Sequence, residues 1–397
     1  MTGIPSWTAV VGPFRFPWGE PGSRRVLGLA RSLALAGHHV VIGSGEAAPA
    51  MPEPLDDVEG RGSIRHVGLG ERPPPTAGAA SRGVRVVVEF GRRTVRWLDA
   101  QPTPPRQVIL YGGGAQYAAR LGRWCRRTGV PLVVDVVEWY APHQLVGGAL
   151  GPIHLSAKLA LRYHYPRSSG VIAISGLLER HYRARGCPVL RVPPTLDVLG
   201  LKAASGTGRA DTVRLVYFGS PGRKDLLDRI IPAVASVARD ADLTLAVYGP
   251  SERQVTDLLG GGPLPCCVRV PGRIPQQEVP DVVREADFSV LLRPSERFAH
   301  AGFPTKLVES LACGTPVITN PTSDIGRYVR DGVEGLLCAE PTVAEVARAL
   351  RVAVGLDGTR RAAMRDAARA AAEAAFDYRH YARPLDAFLT SLRGSGR

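Results

Sequence analysis

The chain has 397 residues, of which 45% are hydrophobic and 22% charged, which describes a folded protein with more than one core rather than a disordered or fibrous one. No stretch approaches the ~18–20 apolar residues of a membrane span, the N-terminus lacks the basic start and apolar run of a signal peptide, and the six cysteines show no paired C-x-x-C spacing that would indicate zinc or a disulfide framework; a cytoplasmic protein with reduced thiols is expected. The net charge of +14 is uneven, with 24 Lys+Arg against 13 Asp+Glu in residues 1–200 and 26 against 23 in residues 201–397, so an anionic partner is expected for the first half.

Trp7–Val11 reads as the first strand. A Gly/Pro loop (Gly12 to Gly22) and a helix over Arg24–Ala36 follow, with Leu27, Ala30, Leu33 and Ala34 on one face. Gly37 ends that helix and His39–Ile42 is the next strand. Val84–Glu89, Val108–Leu110, Pro131–Val137, Gly170–Ile174 and Val189–Val192 continue the strand series, with a helix from Ser175. Low complexity is confined to Pro73–Pro75 and an alanine-rich run later in the chain. Pro193, Pro194 and the weakly patterned Val198–Arg209 mark a boundary.

A second series then begins. Strands are expected at Arg214–Phe218, Leu243–Tyr248, Val268–Val270, Phe288–Leu292 and Pro316–Thr319. Helices are expected at Leu226–Val237, Val279–Ala286 and Thr305–Ala312, then over Val343–Ala375. The tail Phe376–Leu392 reads as helical and packed. Alternation of this kind predicts two mostly parallel sheets covered by helices. Ligands of such sheets bind beyond the carboxyl ends of the strands. The loops after Val11, Val137, Phe218, Tyr248, Leu292 and Thr319 are therefore expected to line one cleft between two facing sheets.

The chemistry of the second half lies in those loops. The turn Gly219-Ser220-Pro-Gly-Arg223-Lys224-Asp225 sets two bases at the mouth of a helix, where a diphosphate fits; a surface turn with two solvated bases is the alternative. In Pro271-Gly-Arg273-Ile274 a backbone turn can pair with a nucleobase edge, or is a plain tight turn. Arg293 to His300 reads as a polar loop. It leads into Ala301-Gly-Phe303-Pro304-Thr305-Lys306, where Pro304 suits the first turn of a helix and the free N–H groups can seat a phosphate. Glu309, one turn past Thr305, can accept two hydroxyl hydrogen bonds of a ribose; a surface glutamate is the alternative. Only four of the 50 basic residues are lysine (Lys158, Lys202, Lys224 and Lys306), which makes Lys224 and Lys306 informative. Asp240-Ala-Asp242 reads as a turn before a strand, not as a metal motif.

The run Ala301-Gly-Phe-Pro-Thr-Lys-Leu-Val-Glu309-Ser-Leu-Ala-Cys-Gly-Thr-Pro-Val-Ile318 resembles the signature E-G-F-G-x-x-x-x-E-A-x-A-x-G-x-P-V-I of the retaining GT-B glycosyltransferases of family 4. The resemblance continues through Asp324-Ile325 and Asp331–Leu337, the Gly219–Asp225 turn, Glu285-Ala-Asp287 and Val192-Pro-Pro-Thr-Leu-Asp197. It implies a GT-B fold of two Rossmann-like domains. The first would span 1–197, a linker 198–212, and the second 213–375, with the tail 376–397 returning to the first. It implies transfer of a sugar from a nucleoside-diphosphate sugar to an acceptor hydroxyl with retention, without metal and with no cofactor beyond the sugar nucleotide. Donor binding would involve Gly219, Ser220, Arg223, Lys224, Arg273, Ile274, Phe303, Pro304, Thr305, Lys306 and Glu309. Lys224 would stabilise the leaving diphosphate.

The family's first glutamate is Ala301 here. Some bacterial polysaccharide-type transferases share the A-G-F-P-T-K form, in which Lys306 joins donor binding. Acceptor contacts are expected from Gly19, Glu20 and Gly22, and from Glu138 and Trp139, with Glu138 the candidate catalytic carboxylate touching the acceptor or the donor sugar; a strand-end glutamate over packed aromatics is the alternative. Clusters at Arg92, Arg93 and Arg96 and at Arg123, Arg126 and Arg127 suit an anionic, lipid-linked acceptor or the inner face of a membrane, or are a solvated face. A sugar-nucleotide epimerase and a nucleotide-sugar-binding homologue without turnover share these features. Nucleic-acid binding has only charge in its favour.

Overall fold

The computed structural model describes residues 6–47, 53–73, 89–203, 212–220 and 224–393. The chain divides into two compact units, residues 1–195 with 378–397, and residues 196–377. The expected strand Val84–Glu89, apart from Glu89, and Pro74 and Pro75 lie outside the described residues.

The first unit is built on an eight-stranded sheet. Its strands are β1 Trp7–Val11, β2 His39–Ser44, β3 Glu53–Val58, β4 Gly62–Gly68, β5 Gln107–Tyr111, β6 Leu132–Val136, β7 Gly170–Ala173 and β8 Val189–Arg191. The order is β3-β4-β2-β1-β5-β6-β7-β8. Among these eight strands the β3–β4 hairpin is the antiparallel pair, and Glu59 and Gly60 make its turn with positive φ. Sequence reading passes over this hairpin and over the helices Arg92–Asp99 and Gly114–Thr128 as elements.

The helix Pro21–Leu35 opens on Pro21, whose fixed φ suits a first turn, and stops at Gly37, φ +92°. Gly28 sits in its middle, where glycine costs about 1 kcal/mol relative to alanine. A Cβ there would stand 2.4 Å from the Thr195 carbonyl oxygen, so the segment ending the unit crosses the helix at a glycine. Val26, Leu29 and Leu33 pack with Leu385, Leu389 and Leu392 in one core. The tail thus belongs to the first unit. It forms a 3₁₀ turn at Tyr378–Tyr381 and the helix Ala382–Ser391.

Polar contacts hold the tail as well. Ser32 Oγ donates to the Tyr378 carbonyl at 2.8 Å. His38 bridges Thr8 Oγ1 through Nδ1 (3.1 Å) and Asp386 through Nε2 (2.9 Å).

A buried ion pair ties the unit together. Arg25 Nε and Nη2 donate to both Asp135 oxygens at 3.0 and 2.9 Å, and Nη1 donates to the carbonyls of Val192 (2.8 Å) and Pro193. The two side chains are 1% and 0% exposed. Arg25 thus serves the interior, not the basic surface.

The second unit carries a six-stranded parallel sheet: β9 Val213–Phe218, β10 Leu243–Tyr248, β11 Val268–Gly272, β12 Phe288–Leu291, β13 Val317–Thr319 and β14 Gly335–Leu337, in the order β11-β10-β9-β12-β13-β14. Its core gathers Tyr217, Ile230, Leu245, Phe288, Ile318 and Leu350. Asp287 accepts the Arg214 backbone N–H at 2.8 Å, joining β12 to β9. The expected single helix Val343–Ala375 is two, Val343–Gly355 and Gly358–Phe376. Asp357 breaks the run by capping the second helix at the Arg360 N–H, 2.8 Å. Of the expected linker 198–212, Val198 and Leu201 are held to this unit by Arg369.

Replacing Arg25 by Ala leaves a buried carboxylate unpaired, and urea unfolding should show a loss of about 3–5 kcal/mol. The double variant Arg25→Met/Asp135→Leu should recover most of it. Burial, opposed by Asp386, holds the His38 imidazole below its ordinary 6.5. The folded state therefore binds fewer protons, and the tail's docking is fully present above pH 6.5 and weakens as pH falls below it. Amide exchange in Ala382–Ser391 should accelerate on acidification, and His38→Gln should flatten that response.

Candidate functional site

In the second unit the strand ends stack through glycines. β9 runs into Gly219 (φ +106°), whose N–H donates to the Tyr248 carbonyl at 2.9 Å. β10 runs into Gly249 (φ +116°), whose N–H donates to the Gly272 carbonyl at 2.8 Å. A Cβ on Gly249 would lie 2.5 Å from the Gly219 oxygen, and one on Gly219 would lie 2.5 Å from Lys306 Cε. A side chain at either turn would be strained by the positive φ, and at Gly249 it would also meet backbone.

Lys306 is thereby brought against the β9 turn. Its ammonium pairs with Asp225, donates to Tyr217 Oη at 2.9 Å and lies 4.5 Å from the centre of that ring. Tyr217 Oη in turn donates to Asp225 Oδ2 at 2.7 Å. Burial, and then the Asp225 charge, push the Tyr217 phenol well above its ordinary range. An ammonium has three donors, and this triad engages two of them. Asp225 is the residue that sequence reading missed as a partner.

The helix Thr305–Ala312 has the expected bounds. Pro304 stands at its N-cap in extended conformation, and no side chain caps the first turn. Lys306 and Glu309 are one turn apart on this helix and half-buried. Phe303 is buried. Its ring packs in a cluster with Tyr328 (5.6 Å between centroids) and Phe376 (5.9 Å). Ser220 is exposed and Lys224 half-buried in the turn, while Arg223 lies outside the described residues. Arg273 is exposed and Ile274 half-buried directly after Gly272.

The expected polar loop Arg293–His300 is partly helical, with Arg297–Ala301 forming a short helix that buries Phe298, Ala299 and Ala301. Ala301 is wholly buried. Arg293 is buried as well. Its N–H donates to Asn320 Oδ1 at 2.9 Å, and Asn320 Nδ2 returns a bond to the Arg293 carbonyl at 2.8 Å. The Ser323 N–H donates to His300 Nδ1 at 3.2 Å, so a neutral His300 carries its proton on Nε2. Thr319, Thr322 and Ser323 have buried hydroxyls without a hydrogen-bond partner among the described residues, and Ser323 has φ +56°.

In the first unit, Gly22 faces Tyr111, whose Oη would be 2.9 Å from a Cβ there. Burial, then the charges of Asp135 and Glu138, raise the Tyr111 phenol far above its usual range. Burial and Glu138, which is both a charge and a hydrogen-bond partner, do the same to Tyr140. Glu138 is thus gathered with Tyr111 and Tyr140. The Trp139 ring meets His181 edge-on at 4.8 Å. Glu20 accepts Arg72 Nη1 at 2.8 Å, and Gly19 has φ +104°. Among the described residues no group of three or more His, Cys, Asp or Glu side chains is placed to hold a metal.

Two parallel-sheet α/β units, one ending its strands in stacked glycine turns, define a GT-B fold. Residues 22–195 match the family described as "Glycosyl transferase 4-like domain", and residues 212–354 match "Glycosyl transferases group 1". The chain belongs to the GT-B glycosyltransferases. The amylovoran biosynthesis glycosyltransferase AmsK of Erwinia amylovora is 31% identical over 191 residues, 44% of this chain and 46% of that protein. The match therefore spans less than half the length of that relative. Among solved structures, sucrose-phosphate synthase of Thermosynechococcus elongatus superposes with TM-score 0.77 at 15% identity, covering 98% of this chain and 100% of that one. Anabaena HepE in complex with UDP-glucose gives 0.65 at 16%, covering 97% and 99%.

Gly219→Ala forces a side chain into left-handed backbone and against the held lysine. Its cost should be about 1–3 kcal/mol in urea unfolding. Ser220→Ala, exposed in the same turn, should change stability by less than about 0.5 kcal/mol.

Proposed function

We propose that the protein transfers a sugar from a nucleoside-diphosphate sugar to an acceptor hydroxyl, with retention of configuration and without a metal. The observation that carries the reading is the meeting of the Gly219 turn with the helix bearing Lys306 and Glu309. The diphosphate would sit on the backbone of that turn and at the helix start, with Lys224 and Arg223 as its cations. The third donor of Lys306 would take a phosphate oxygen while Asp225 and Tyr217 hold the ammonium in place. Glu309 would take the ribose hydroxyls, and the turn at Arg273 and Ile274 the base. Charge build-up on the leaving diphosphate would be met by these preorganised groups, the kind of contribution that is worth a few kcal/mol per donor. The solved complex of HepE with UDP-glucose supports a sugar nucleotide as the donor.

The acceptor would be bound by the first unit, near Gly19, Glu20, Gly22 and Glu138. Its excess of arginine favours an anionic, lipid-linked acceptor used in polysaccharide or natural-product synthesis on the cytoplasmic side of a membrane. Ala301 is the specific feature favouring a second reading, a homologue that binds sugar nucleotides without turnover.

A panel of nucleoside diphosphates and their sugars tests the proposal by thermal shift and calorimetry. At least one should raise the melting temperature, with affinity falling roughly 10- to 100-fold in Glu309→Ala and Lys224→Ala. If no member of the panel binds, the reading is wrong. Binding with no transfer to any added acceptor supports the second reading.

A further inference from the structure

From Trp139 to Leu178 the chain runs 40 residues without an aspartate or glutamate, although 36 of its 397 residues are acidic. The same stretch holds Lys158, Arg162 and Arg167 and three histidines. All of it is described, and it forms an unusual surface. Val146 is 82% exposed and Leu150 86%, at the tips of short turns, and Leu155, Leu159 and Tyr163 are 46–50% exposed. The helix Pro152–Leu159 has no fully buried residue.

The strap is nonetheless fixed in place. Ser156 Oγ accepts the Ala115 N–H at 3.0 Å and donates to Gln116 Oε1 at 2.7 Å. The following π-helical turn Ala160–His164 buries Ala160 and Leu161. It is therefore an ordered apolar ridge, not a loose loop. Cations flank it. The Arg167 guanidinium lies 3.7 Å over the Tyr163 ring. After burial, the charges of Arg167 and Arg126 both hold the His164 imidazole below its ordinary value, which places them close to the ridge. Arg126 and Arg123 are exposed on the helix Gly114–Thr128 that carries the strap, whereas Arg127 is paired with Asp99 at 2.8 Å.

We propose that this strap is a membrane-docking face, its apolar ridge entering the headgroup–acyl boundary of a bilayer that carries anionic lipids. An apolar ridge bordered by cations, with no carboxylate in its own stretch, complements such a surface on both counts. A second copy of the chain fits it less well, because an isologous contact would set Lys158, Arg162 and Arg167 against their own counterparts. The inference does not depend on the donor reading, since it concerns a different part of the chain and needs no nucleotide.

The test is co-sedimentation of the full chain with vesicles of phosphatidylcholine alone, or with roughly a third phosphatidylglycerol, at low salt. The protein should bind the anionic vesicles and not the neutral ones. Both Leu150→Asp/Leu155→Asp and Lys158→Glu/Arg162→Glu should weaken binding at least about tenfold. All four residues are exposed, so circular dichroism and melting temperature should be unchanged. Any nucleotide-induced melting shift should also persist in both variants, which separates failure here from failure of the donor site. Absence of binding to anionic vesicles would overturn the proposal, and so would binding unaffected by Leu150→Asp/Leu155→Asp. Self-association that disappears in that variant, with no vesicle binding by the parent, would assign the ridge to a second copy instead.

Discussion

The first unit depends on one buried ion pair. Arg25 comes from the first helix and Asp135 from the end of a central strand, 110 positions apart in the chain. The guanidinium also takes the carbonyls of Val192 and Pro193, where the chain prepares to leave the unit. Helix, sheet and exit segment are thereby indexed to one planar group whose fork geometry tolerates little displacement. Removing two charges from water is costly, and the bidentate geometry with its added carbonyls offsets that cost. The pair also sets the electrostatics of its neighbourhood. Asp135 adds to the negative field that, after burial, keeps the Tyr111 phenol protonated beside Glu138.

The second unit solves a different problem. Its strand ends must come close enough for each turn to hydrogen-bond the next. Gly219 and Gly249 achieve this with positive φ, and neighbouring atoms stand where a Cβ of either would go. The ammonium of Lys306 then fills the gap next to Gly219, and Asp225 and Tyr217 fix its position. A cation so held has lost most of its rotamer freedom before any ligand arrives, which lowers the entropy cost of recognition.

Much of this was legible in the chain. Strands such as Trp7–Val11 and Leu243–Tyr248 are apolar runs bounded by glycine or proline, and buried parallel strands need no more signal than that. The β3–β4 hairpin was not legible, because Glu53-Pro-Leu-Asp-Asp-Val58 lacks the β-branched character of a buried strand and sits at the sheet's edge. The rarity of lysine marked Lys306, but its partner could be found only in three dimensions. The ring cluster of Phe303 with Tyr328 and Phe376 was likewise out of reach, because a motif records which residues recur and not which way a side chain points. The strap over Pro152–Leu159 escaped notice for the opposite reason. Periodicity assumes that an apolar helical face is buried by the chain itself, and here it is not. Arg25 illustrates the limit of charge counting, since a cation counted toward a basic surface lies wholly inside.

The helix Ala382–Ser391 completes the core of the first unit, yet residues 196–377, which separate it from the rest of that unit, form the second. The order of synthesis therefore differs from the order of completion. When Thr195 has been made, the surface formed by Val26, Leu29 and Leu33 still lacks Leu385, Leu389 and Leu392. The second unit is contiguous and can close first. During that interval the first unit presents an apolar patch to the surrounding solution. A chain shortened before Tyr378 would keep that patch permanently, so it would be a substrate for chaperones and proteases even though every strand of both sheets were present.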